Sequence, residues 1–417
     1  MFRSLLLFIG ALTSGNMQSE KVKRRYMMGV VMFLMFLPPG MWLPSLPNIL
    51  ATYEARWVLP YFTALTPFIG IFSALLFAAL SDRKFDAGRL LGILGITGAG
   101  FVWLSFSSLE WGWHPGWFLF FQSCSMLISA PMIPLITKIK LANLSNPAKS
   151  FPLYSICGTV GWLCGSILVS FLALDYSAKA GQLAVAFRVG MSLLCFALPA
   201  TPPKDLASRG WAAVLGLRAF GLLRDAELRR FYLASALLAI PGVAHFMITP
   251  TLLAEFGSAY PTAHMSLGQA TEVAAMVFLS LVAGRFRMRW FLIWGMSLAV
   301  LRFGLFALGA EVGALTLLFV GVALHGPVYT FMTVAGRIYL DKRVPEELQG
   351  QAQALYSLMV FSVAGIIGAF VCEWLYLSEV EGASGWLSFW LVLSFLAAVP
   401  LVYFTVGILR QAAVEAR

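Results

Sequence analysis

Apolar stretches of about the length needed to span a membrane recur along the whole chain. Twelve can be drawn, at roughly 27–50, 59–80, 88–107, 116–137, 151–173, 182–199, 230–254, 266–284, 290–309, 312–334, 353–375 and 385–408. About 20 such residues in an α-helix cover the hydrocarbon core of a bilayer. Inside that core every backbone amide must find its partner within a helix or a closed barrel. Barrel strands are short and alternate apolar with polar residues, which these runs do not. The reading is an all-α integral membrane protein with twelve transmembrane helices. Composition excludes a soluble domain: 60% of residues are hydrophobic and 12% charged, against about 25% charged in an average domain.

The net charge of +10 would suit a nucleic-acid binder, but its placement does not. Of 29 Lys and Arg, 25 fall in the N-terminal segment, the central loop, the tail and the loops of the same parity. Only Arg56 and Lys179 fall in the opposite loops, and Arg188 and Arg302 lie within spans. Cytoplasmic loops carry such an excess of basic residues. This predicts the bacterial inner membrane as location, an even span count, both termini cytoplasmic and no nucleic-acid partner. The opposite side carries Trp57, Trp111, Trp113, Trp117, Trp374 and Trp386, as an interfacial belt does. The parts expected are a cytoplasmic N-terminal segment (1–25), a six-helix bundle (26–200), a central cytoplasmic loop (201–229), a second six-helix bundle (230–410) and a tail (411–417). The central loop contains an amphipathic stretch that reads as an interfacial helix. The apolar run in the first dozen residues is too short to span.

Within the spans, polar residues are few and therefore informative. Glu272 is the one carboxylate well inside an apolar run, and Gln269 three residues earlier shares its helix face. An acid in a bilayer costs roughly 2.5–3.5 kcal/mol on insertion scales and marks a substrate or proton pathway. Arg302, near the middle of the ninth span, needs a cavity or a partner, and Glu272 on the preceding span is the partner expected. His245 and His325 lie deep in spans seven and ten, where a near-neutral pKa suits proton transfer. A packing role for each histidine is the alternative. In the fifth span, Gly158, Gly161 and Gly165 allow close helix approach. Thr159 and Trp162 there share a face that suits a flat, hydroxylated ligand or, alternatively, a helix contact. Asp82, Arg83 and Arg89 after the second span read as a gating latch of cytoplasmic helix ends. No GxxxxGK[ST] sequence supports ATP hydrolysis. The five cysteines have no metal-ligand or disulfide spacing, and no nucleophile–base set is visible, so no metal, no cofactor and no enzyme are expected.

Two halves of six spans about a central loop follow the major facilitator plan of two pseudo-symmetric bundles. The chain resembles the nucleoside:proton symporter family of that superfamily. The likeness rests on Gly158-Thr159-Val160-Gly161 with Trp162, Ser266-x-x-Gln269-x-x-Glu272, Leu301-Arg302-Phe303, and Gly336 through Val344 followed by Ala352-Gln353. It implies substrate contacts at Thr159, Trp162, Gln269, Glu272 and Tyr329; Ser155, at a family contact position, and His245, between the two positions of a family polar pair, are added as candidate contacts. The polar residues themselves point to proton coupling through Glu272, tuned by Arg302 and His325. Ser155 departs from an expected arginine, Val243 and Phe246 from a polar pair, and Thr330 from an acid. Glu272, Arg302 and His325 also resemble the polar set of oligosaccharide:proton symporters such as lactose permease, which makes a sugar or glycoside the second substrate class. A non-transporting receptor or carrier-fold scaffold is the reading from another class. The expected partners are a small-molecule substrate, protons and the lipid bilayer, with the protein a monomer.

Overall fold

The structure is a computed structural model, and it describes residues 20–70, 86–143, 147–199, 201, 217–381 and 385–415. Among these the regular elements are helices, with no strand. Nine helices are long and apolar enough to cross a bilayer, and Ile156–Phe171 is a shorter apolar one. Lys179–Cys195, overlapping the sixth expected span, is helical over 17 residues. Most of the central loop lies outside the described residues; its described part, Leu217–Arg224, is a 3₁₀ helix.

The chain divides into two compact units: Met1–Leu43 with Phe72–Ala207, and Pro44–Ile71 with Ser208–Arg417. In the first, Glu20–Trp42 lies against Pro147–Phe171. The approach is close because Gly161 has no side chain: a Cβ there would collide with the Phe33 carbonyl. Ser166 then donates across the seam to the Gly40 carbonyl at 2.9 Å. Asp86 caps Ala87–Glu110, accepting from the amides of Gly88 and Arg89 at 3.0 and 3.1 Å, and also from that of Thr201. Arg188, half-buried and without a carboxylate partner among the described residues, donates to Ser129 Oγ and to the Gly95 carbonyl.

The second unit includes the Pro44–Ile71 stretch, which sequence order had placed with the first bundle. Three contacts tie it there. Asn48 donates to the Pro250 carbonyl at 3.3 Å, and Tyr61 meets Phe370 edge-on. Arg56 reaches both oxygens of Glu373 at 2.8 and 2.9 Å, with its guanidinium 3.7 Å from the Tyr376 ring centroid. Several spans in this unit are not continuous α-helices, and two of them bear on the polar residues. The seventh runs as Ala226–Gly242, Ala244–Met247 and Thr249–Glu255, with Pro241 and Pro250 at its interruptions. The tenth runs as Leu315–Ala323, His325–Tyr329, a π-helical turn Thr330–Val334, and Ala335–Asp341. Proline supplies no backbone N–H and obstructs the preceding turn, and π turns concentrate at functional sites.

Two outcomes follow for stability. Gly161→Val sets a branched side chain against backbone that cannot turn aside. It should cost about 1–3 kcal/mol and lower the thermal midpoint of the detergent-purified protein. Glu373→Gln leaves the Arg56 guanidinium without its anion, a loss of about 1–3 kcal/mol. Adding Arg56→Gln should recover part of that loss, so a double-mutant cycle should return a favourable coupling energy.

Candidate functional site

The deepest polar cluster lies in the second unit, where the Pro261–Val282 and Met288–Glu311 helices meet the interrupted seventh and tenth spans. Its seam is between Leu267–Val282 and His325–Tyr329. Pro327 has no N–H to offer the carbonyl four residues back, that of Ala323. Thr271 supplies the missing donor, with its hydroxyl 2.5 Å from the Ala323 oxygen. Gly326 lets the two backbones touch: a Cβ there would strike Thr271 and the Glu272 amide. Thr330 adds a 3.4 Å contact to the Glu272 carbonyl. Glu272 and His325 are thus fixed on opposite sides of one backbone contact.

Arg302 is 2% exposed, and the sequence reading expected Glu272 as its partner. The structure gives it different ones. Arg302 donates to His245 Nδ1, and its other terminal nitrogen lies 3.5 Å from His325 Nδ1, a longer contact. The two imidazoles stack with centroids 3.8 Å apart and planes 13° apart. Among the described residues Glu272 forms no ion pair; the pairs there are Arg56–Glu373 and Arg343–Glu227. The physical reason is placement: the break after Gly242 puts His245 on a separate short helix that reaches Arg302 first.

A guanidinium only donates. His245 Nδ1 must therefore accept, and the proton of that neutral ring sits on Nε2. A proton arriving at Nδ1 would cost the Arg302 bond and place two cations together. Arg302 thus fixes the Nε2–H tautomer of His245 in this arrangement. The Nε2 of His245 and the Nε of Arg302 are buried without a hydrogen-bond partner among the described residues.

The remaining expected residues are placed as follows. Gln269 is buried, one turn before half-buried Glu272 on the same helix. Tyr329 is half-buried, with its ring centroid 6.1 Å from that of His325. His245, expected as a ligand contact, is 1% exposed and is grouped with Arg302 and His325. Thr159 and Trp162 are half-buried in the first unit, on the helix whose glycines approach Glu20–Trp42. The Ser155 side chain, Asp82 and Arg83 lie outside the described residues; Arg89 is exposed, with its amide held by Asp86. Sequence reasoning missed Thr271 and Gly326. The available signal was Pro327, whose missing N–H obliges some other donor to serve Ala323.

Residues 22–412 match the family described as nucleoside H+ symporters. The chain belongs to that family. As a nucleoside:proton symporter family member it is a membrane transporter and not an enzyme. It is 30% identical to YegT of Escherichia coli (strain K12) over 83% of this chain and 82% of that one. It is 26% identical to the xanthosine permease of the same organism, over 68% and 72% of the two chains. Its fold is similar to the crystal structure of nucleoside transporter NupG, with a TM-score of 0.81 at 21% identity, covering 92% of this chain and 99% of that one.

The tautomer assignment can be read directly. In ¹⁵N-histidine NMR of the full protein, the signal assigned by deleting His245 should be that of a neutral Nε2–H ring. In Arg302→Met that signal should move toward rapid exchange between the two neutral tautomers.

Proposed function

We propose that this chain takes up nucleosides together with protons by alternating access, with Glu272 as the group that carries the coupling proton. The observation that carries this reading is Glu272 itself. It is a half-buried carboxylate in an apolar helix, with no cation bound to it among the described residues, while Arg302 is a buried cation with no acid. Deprotonated Glu272 complements that positive charge; protonated Glu272 does not. The change of charge is of the kind a carrier needs to tell loaded from empty states. Opposite charges attract far more strongly in a low-dielectric interior than in water.

The ligand-holding roles go to Gln269, Glu272 and Tyr329, with Thr159 and Trp162 as further contacts on sequence grounds. The amide and carboxylate suit base edges and ribose hydroxyls, and the rings suit the flat base. We assign twelve spans by adding those at 59–80, 151–173 and 182–199 to the nine helices already described. The asymmetry of Lys and Arg supports an inner-membrane protein with both termini cytoplasmic, and we take it to be a monomer.

Proteoliposome uptake tests the coupling. With the wild-type protein, labelled nucleosides should accumulate when the outside is acidic, and collapse of the pH gradient should release them. Glu272→Gln should lower gradient-driven accumulation at least tenfold while nucleoside exchange down a concentration gradient persists. Undiminished accumulation by Glu272→Gln would sink the proton assignment. Accumulation of glycosides but not nucleosides would sink the substrate class.

A further inference from the structure

At the end of the second unit that carries the basic loops, the 283–287 turn meets the turn after Ala335–Asp341. They enclose a cleft of about 390 Å³, lined by Arg287, Arg289, Lys342, Arg343, Glu227 and Phe286 among others. The volume is within the range of ligand pockets, about 300–1,000 Å³. Four cations and one carboxylate share this small space. That carboxylate is already engaged: Glu227 accepts from Arg343 and from the Tyr339 hydroxyl. Arg287, Arg289 and Lys342 are left as a positive group without an acid in the cleft wall. Arg289 is half-buried, and its Nε has no hydrogen-bond partner among the described residues. The same wall holds the start of the Met288–Glu311 helix, whose capping residue Arg287 makes no side-chain cap. The partial positive charge of a helix N-terminus therefore adds to the side chains.

We infer that this cleft binds the phosphodiester headgroup of an anionic phospholipid. Three convergent cations and a helix start select a phosphate oxyanion. Depth selects the lipid over a soluble phosphate. Phe286, Trp290 and Trp294 beside the cleft are exposed in a chain whose outer surface is membrane, and aromatic side chains of that kind settle at headgroup level. Ile408 on the cleft wall offers apolar surface where an acyl chain would begin. The asymmetry of Lys and Arg places this face toward the cytoplasm, where basic pockets between spans receive lipid headgroups. The site is separate from the Glu272–Arg302 region and does not depend on the substrate assigned to it.

The test uses the full chain purified in a neutral detergent. Phosphatidylglycerol, phosphatidylcholine and sn-glycerol 3-phosphate are titrated in turn, and bound lipid is read by native mass spectrometry alongside the thermal midpoint. Phosphatidylglycerol should be retained at least tenfold better than phosphatidylcholine, with the preference falling as salt rises. The combined Arg287→Gln, Arg289→Gln, Lys342→Gln variant should retain both lipids equally. Arg224→Gln, an exposed cation outside the cleft, should behave as wild type. If the triple variant does not fold, Lys342→Gln alone, at an exposed side chain, should still weaken retention severalfold. Unchanged retention in these cleft variants, or no preference between the two lipids, would overturn the site. Stabilisation by sn-glycerol 3-phosphate equal to that by phosphatidylglycerol would overturn the lipid as its occupant.

Discussion

A guanidinium buried among apolar helices must be given acceptors, and in this protein the acceptors are imidazoles. Arg302 has five donors and no way to lose its charge at ordinary pH. Its surroundings otherwise offer the Phe303 and Phe306 rings, each with its centroid 5.5 Å from the guanidinium carbon. Burying a charge without compensation is costly. The arrangement is therefore sustained only while the seventh and tenth spans deliver His245 and His325 to that point. Both deliveries use interrupted helices. A straight seventh helix would not present the 244–247 turn as a separate piece, and the tenth span turns at His325 just before Pro327.

The seam between Thr271 and Ala323 is the second half of the same arrangement. It replaces a hydrogen bond that Pro327 removes from its own helix with one from a neighbour. The backbone accounting that a bilayer enforces is thus settled between helices rather than within one. This is also what brings Glu272 up against the helix that carries His325. The two helices are held together here by backbone packing, with no salt bridge needed.

Much of the fold was legible in the sequence because lipid imposes a simple rule: long apolar runs become helices. The deep polar residues were legible for the converse reason, since Glu272, Arg302, His245 and His325 stand out in apolar runs. Their pairing was not legible. Glu272 and Arg302 lie on consecutive spans, which made them look like partners. The actual partner of Arg302 came from 57 residues away, by a route set by a helix break. Glu373 escaped notice because an acid at the end of an apolar run reads as interfacial; in the structure it is 9% exposed and bound to Arg56. The prolines were visible, but their consequence for Thr271 needed the neighbouring helix. The π turns carry no local sequence signature.

The π turn at Thr330–Val334 has a geometrical effect on everything beyond it. Such a turn accommodates one residue more than an α turn, and one residue corresponds to about 100° of rotation about the axis. Residues after the turn are therefore out of phase with residues before it. A helical wheel drawn through the whole tenth span would misalign His325 and Tyr329, in the middle, with Arg337, nearer the end. Arg337 instead turns toward Gln353 and Ser357. The bulge works as a phase shifter: it lets one helix point one set of residues at a polar cluster and another set at a different neighbour. Were it to travel along the helix by a residue at a time, each residue it passed would swing from one face to the next while both helix ends stayed anchored.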